Sequence, residues 1–186
     1  RRNKRPTRMR IAITGTPGTG KTTCSKSITG RCEILHLNDI IKEKKLYQGF
    51  DEGRQTLIAD IEAIEKELDG KDDIVIDSHI SHLLNVDKVI VLRCHPEELK
   101  KRLEKRAYKE KIDIKKSIEE NIRAEALDVI LVESIEIHGE NKVYEIDGTG
   151  KTPEEIVQEI EAAIAGDGDP KVGLVSFIEH LFEESG

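Results

Sequence analysis

One octapeptide constrains this chain more than any other feature. Gly15-Thr16-Pro17-Gly18-Thr19-Gly20-Lys21-Thr22 fits the pattern GxxxxGK[ST] without a mismatch. A short apolar run, Arg10–Thr14, precedes it, and a helical pattern from Lys21 to about Thr29 follows. Strand, glycine-rich turn and helix in that order make a phosphate-binding loop. The glycines let the backbone curl until its N–H groups point inward, and the helix adds the positive end of its dipole. Gly15, Gly18 and Gly20 shape this loop. Lys21 is expected to reach the β- and γ-phosphates of ATP, Thr22 to ligate Mg2+ through its hydroxyl, and Thr23 to donate to the α-phosphate.

The rest of the chain alternates strand and helix patterns. Glu33–Leu37, Ile74–Ile76, Lys88–Leu92 and Lys142–Ile146 read as further strands, several of them continuous aliphatic runs. Such runs belong to a parallel sheet covered by helices on both faces. Asn38 and Asp39 can cap a short charged helix, and the glycine-containing LYQGFDEGRQT reads as a loop. Asp60 can cap a helix ending near Gly70, and Pro96 opens one running to about Arg106. The charged AYKEKIDIKK breaks the pattern, and a longer helix spans roughly Ser117–Glu133. Thr152-Pro153-Glu154-Glu155 is a capping box that opens a helix to about Ala165. The expected fold is α/β: a P-loop NTPase three-layer sandwich with a five-stranded parallel sheet.

Asp77 closes the apolar run IVI, and an acid at the carboxyl end of a strand beside a phosphate loop can hold Mg2+. His79 follows two residues later. It can orient an attacking water, act as a base, hold Asp77 in place, or make an ordinary loop hydrogen bond. His79 and His82 form HxxH, but no third ligand has good zinc spacing. Guanine recognition is disfavoured. Asp77-Ser78-His79-Ile80 lacks the glycine of DxxG, and Asn141-Lys142-Val143-Tyr144 lacks the aspartate of NKxD. ATP is favoured in part by exclusion.

Lys100, Lys101, Arg102, Lys105 and Arg106 load one helix end with positive charge. Beside a phosphate loop, Arg106 reads as a nucleotide contact, because planar arginines stabilise charge spread over phosphate oxygens. The alternative is a solvated face balanced by Glu97, Glu98 and Glu104. Residues near 106–116 then read as a mobile lid. The segment of about 38–60 is where a nucleoside-monophosphate acceptor would sit, with Asn38, Asp39 and Lys42 as candidate contacts.

The chain has 186 residues and a formal net charge of −7, so one domain, 9–165, is expected and the whole is not a polycation for nucleic acid. Residues 1–8 are the exception, with five basic residues that read as a disordered leader or as an arm touching RNA or phosphate. Direct RNA binding is expected to be weak or absent. Met9 looks like a natural start. No signal peptide or membrane span is evident, and Cys24, Cys32 and Cys94 form no CxxC pair, so a cytoplasmic protein with reduced cysteines is expected. Residues 166–186 form a linker and an amphipathic tail. Its stripe of Leu174, Ile178 and Leu181 is expected to dock on the body, on a partner or on a dimer mate.

MRIAITGTPGTGKTT, LYQGFDE, VIDSH, VIVLRCHPEELKKRLEKRAY and ENIRAEALDVI, in that order, resemble the adenylate kinase isoenzyme six family over residues 9–165. These are archaeal and eukaryotic adenylate-kinase-fold ATPases of small-ribosomal-subunit assembly. The resemblance implies a nucleoside-monophosphate-kinase-like fold with a short lid, an adenylate kinase reaction with AMP as acceptor, and ATPase activity. It implies ATP contacts at Gly18, Gly20, Lys21, Thr22, Thr23 and Arg106, a magnesium aspartate at Asp77 and a catalytic histidine at His79. It also implies a platform protein of the small ribosomal subunit as partner. The chain departs from the family's Arg-Gly-Tyr at Arg106-Ala107-Tyr108, and it carries Lys42 where an arginine is common. An assembly factor with little AMP kinase activity is the rival expectation.

Overall fold

The computed structural model describes residues 9–183 except 31, 53–55 and 111–114. The basic leader and part of the 106–116 stretch therefore lie outside the described residues. Strands β1 (Arg10–Thr14), β2 (Glu33–His36), β5 (Ile74–Asp77), β6 (Lys88–Arg93) and β7 (Val143–Asp147) form one parallel sheet in the order β2-β5-β1-β6-β7. The five-stranded parallel sheet expected from the sequence is present. Its middle strands read as unbroken apolar runs because both faces are covered. Ile11 and Ile13 point to one face, with Ile156 and Ile160 of helix α7 (Pro153–Ala165). Ala12 points to the other, with Ile76, Val91 and Leu131.

Parallel register places the chemistry. Ile13 and His36 both pair with Asp77, so the acid sits at the carboxyl edge between β1 and β2. The expected caps at Asp60 and Thr152 are also present. Asp60 accepts from the Ala63 N–H at 3.0 Å, and Thr152 and Glu155 form a reciprocal capping box.

Five expectations are corrected. LYQGFDEGRQT is not a plain loop: β3 (Tyr47–Asp51) and β4 (Thr56–Ala59) pair antiparallel as a hairpin. The glycines suggested a turn, but Gly49 sits within a strand. Helix α2 (Leu37–Lys44) starts before Asn38 and Asp39, with His36 in the cap position and no side-chain cap. The Asn38 side chain accepts from the Ser78 hydroxyl instead. Helix α4 (Pro96–Glu110) runs past Arg106 through Ala107 and Tyr108. The helix expected over Ser117–Glu133 is two helices, α5 (Lys115–Ala126) and α6 (Val129–His138). The break falls at Asp128, held at φ 56° with its carboxylate on the buried Arg93. Helix α1 (Lys21–Ser25) is shorter than the pattern suggested.

The tail does dock on the body, but not by its aliphatic stripe. Phe177 and His180 are buried, whereas Leu174 and Ile178 are exposed. The Phe177 ring lies 5.3 Å from the Arg93 guanidinium, and the Leu174 N–H donates to Glu145 Oε2 at 2.7 Å. Among the described residues, no helix is long and apolar enough to cross a membrane.

Candidate active site

Between β1 and α1 the loop takes the form its glycines allow. Gly15, Gly18 and Gly20 have φ of 136°, 96° and 101°, where side-chain-bearing residues are strained. At Gly15 backbone fills the space, and at Gly18 the ends of packed leucine side chains would have to shift. A Cβ on Gly15 would lie 2.3 Å from the Leu92 carbonyl oxygen, and one on Gly18 would lie 2.8 Å from Leu99 Cδ1.

A cavity of about 460 Å³ opens over the loop at the carboxyl edge of the sheet. It gathers nearly every residue singled out from the sequence. Gly18, Gly20, Lys21, Thr22 and Thr23 come from the loop and α1; Asn38, Asp39 and Lys42 from α2; Asp77 and His79 from the end of β5; Arg106 from α4. Gly15 lies beneath, packed on β6. Lys26, His36 and Arg102 also line the cavity. The Arg102 guanidinium reaches the Thr19 carbonyl at 3.4 Å and pairs with Glu98.

Lys21 curls over the loop and donates to the carbonyls of Gly15 and Thr16 at 2.7 and 2.9 Å. Burial lowers its pKa to about 8, against the opposing pull of Asp77 and Glu125. A phosphate delivered here would meet an ammonium with little competing water, where charge acts at full strength.

Asp77 is almost wholly buried. Its Oδ2 accepts from the Ser25 hydroxyl at 3.0 Å and meets His36 Nδ1 at 3.0 Å. Its Oδ1 is buried with no hydrogen-bond partner among the described residues. Leaving a carboxylate oxygen unsatisfied is costly, and a hard cation or its water shell would satisfy it. With the Thr22 hydroxyl lining the same cavity, the donor set fits Mg2+.

His79 is half-buried, and its pKa falls to about 4, first through burial and then through the charges of Lys21 and His82. It is therefore neutral at pH 7, and the burial and nearby positive charge that keep it neutral make it a weak base. An unfolded chain binds that proton below the ordinary pKa of 6.5, and the native chain binds it only near 4. Native stability should thus fall as pH drops through this window, by about 2 kcal/mol at pH 5 from this group. Denaturant titrations of wild type and His79→Gln at pH 7 and pH 5 test this: the variant should lose less stability. The other half of HxxH is occupied elsewhere. His82 is buried, with Nδ1 on the Thr14 hydroxyl and Nε2 on Glu133, both at 3.0 Å.

Sequence reasoning missed the groups that hold the site in place. His36 and Ser25 flank Asp77, and only strand register reveals the first. Under the loop lies Arg93, 1% exposed. It donates to Glu125 Oε1 at 2.8 Å and Glu145 Oε1 at 2.9 Å, and also to Asp128. A charged residue ending an apolar strand was the available signal.

The family model described as "AAA domain" matches residues 11–128. Among curated proteins, the chain is 46% identical to "Putative adenylate kinase" of Natronomonas pharaonis, covering 93% of this chain and 100% of that one. It is 46% identical to the protein of the same name from Methanocaldococcus jannaschii, covering 94% and 96%. For that of Pyrococcus furiosus the values are 41%, 95% and 94%. Among solved structures, shikimate kinase from Bacteroides thetaiotaomicron superposes with a TM-score of 0.57 at 18% identity, covering 86% of this chain and 99% of that one. At that identity the likeness is one of fold.

Proposed function

The chain belongs to the AAA-domain family and groups with archaeal proteins that carry the adenylate kinase name, which makes it a nucleoside monophosphate kinase, and we propose that its reaction is ATP + AMP = 2 ADP. The observation that carries this reading is the shared cavity. Donor-side groups (the loop, Lys21, Arg106) and acceptor-side groups (Asn38, Asp39, Lys42) line one space of a size to hold both reacting phosphates.

In this reading the loop N–H groups and Lys21 hold the β- and γ-phosphates, and Thr23 holds the α-phosphate. Asp77 and Thr22 would hold Mg2+, which would supply neutralisation of the phosphate charge when bound. Asn38, Asp39 and Lys42 orient AMP so that its phosphate oxygen faces the γ-phosphorus in line. Arg106, and Arg102 one turn before it, meet the charge that spreads over the transferring group. Residues 38–60 act as the acceptor segment, and residues from about 106 act as a lid that excludes water. Lys42 offers AMP a point charge where a forked guanidinium would give two parallel bonds.

His79 gives a second reading its foothold. A neutral imidazole on the wall of this cavity can accept a hydrogen bond from a water standing where AMP would stand and orient it toward the γ-phosphate, which gives ATP hydrolysis. A role in small-ribosomal-subunit assembly rests on the resemblance alone. It predicts turnover raised by the platform protein.

ADP formation from ATP, with and without AMP, on wild type and His79→Ala, separates the readings. AMP should raise ADP output far above the water reaction, with two ADP per AMP consumed. His79→Ala should cut AMP-independent hydrolysis about 100-fold. If AMP leaves ADP output unchanged, the kinase reading falls and hydrolysis is the main activity.

A further inference from the structure

The phosphate loop is tied down from below by a residue far away in sequence. Glu125, on α5 and 3% exposed, divides its carboxylate between two tasks. Oε1 accepts from Arg93 Nε at 2.8 Å and from the Cys94 N–H at 3.1 Å. Oε2 accepts from the Thr16 hydroxyl at 2.5 Å. Thr16 is itself the most engaged residue of the loop. Its carbonyl accepts from Lys21 Nζ at 2.9 Å, from the Thr19 hydroxyl at 3.0 Å and from the Thr19 N–H at 3.2 Å. The Thr16 peptide therefore cannot rotate without breaking a charge-assisted bond on one side and the lysine clasp on the other. A chain of contacts leads from the tail through Arg93 and Glu125 to the residue whose orientation decides where the loop N–H groups point.

We propose that Glu125 is a positioning residue for the nucleoside triphosphate: acting through the Thr16 hydroxyl, it holds the phosphate loop in its binding conformation before the ligand arrives. Glu125 does not line the cavity over the loop. Its contribution is to spare the loop the ordering that binding would otherwise demand. Charge-assisted bonds of this kind are about twice as strong as neutral ones. This rests on the preceding section only in taking the loop as a triphosphate site, and does not depend on the acceptor.

The test is the Kd of a non-hydrolysable ATP analogue, measured by calorimetry, beside the KM for AMP. Thr16→Val removes the hydroxyl and keeps Glu125 on Arg93 and Cys94, so the fold survives. It should weaken analogue binding about tenfold, with the KM for AMP unchanged. Thr16→Ser restores the hydroxyl and should bind within about twofold of wild type. In the double variant Thr16→Val/Glu125→Gln, the loss of analogue binding should be smaller than the product of the two single losses, since the glutamine weakens the link that the valine removes. If Thr16→Val binds the analogue like wild type, or if the two losses multiply, Glu125 is structural only and the proposal is overturned. If Glu125→Gln does not fold, the valine–serine pair decides alone. Failure of AMP to stimulate wild type would sink the kinase reading and leave this one standing.

Discussion

Arg93→Met should destabilise the protein by roughly 3–5 kcal/mol, a large fraction of the stability of an ordinary domain. The guanidinium is buried among Glu125, Glu145 and Asp128, whose side chains are 3%, 0% and 29% exposed. Methionine fills comparable space, so the loss is not one of volume. It comes from carboxylates left in a dry interior with no cation. Asp128, released from its partner, would also have no reason to keep a left-handed backbone, and the α5–α6 corner should loosen. Lysine should not substitute well, because one ammonium cannot serve three carboxylates arranged around a planar fork. Urea denaturation of Arg93→Met, Arg93→Lys and Arg93→Met/Glu145→Gln measures this. The double variant should recover part of the loss. A single-variant cost below about 1 kcal/mol would show that the cluster does not hold the corner.

Lys21→Met should lower kcat about 1000-fold while leaving the fold intact. The ammonium is expected to meet charge developing between the β- and γ-phosphates, and no other loop side chain carries a positive charge there. The same burial that lowers the Lys21 pKa to about 8 means the folded chain holds this charge at a cost. Methionine removes that cost together with two hydrogen bonds to loop carbonyls, so thermal stability should be unchanged or raised. A functional residue gives this split, activity lost and stability kept, and a structural one does not. Single-turnover transfer rates beside melting curves decide it. Loss of both together would mean that Lys21 serves the loop's shape more than its chemistry.

Legibility in the sequence followed the physical signals available. β1, β5 and β6 were evident because strands buried on both faces need continuous apolar runs. The loop was evident because its backbone needs glycine at fixed positions. The β3–β4 hairpin was hidden, since Gly49 within a strand carries the same letter as a turn glycine. The α5–α6 break was hidden because nothing local demands it. Asp128 turns to meet Arg93, 35 residues away. His36 beside Asp77 follows from strand register, which periodicity alone does not supply. The tail's helical stripe pointed to the wrong face, because its docking is set by an aromatic ring over a guanidinium.

The position of β1 has a consequence for how the molecule comes into being. Of the five strands of this sheet, the earliest in the chain is the middle one, and both its neighbours, Ile74–Asp77 and Lys88–Arg93, emerge from the ribosome much later. Until they do, Arg10–Thr14 is an apolar segment with no edge to join, and closing those long loops slows its capture. The groups beneath the phosphate loop arrive later still, with Glu125 and Glu145. The phosphate loop is thus made well before the groups that hold it in place, so a nascent chain carries the motif long before that support is complete.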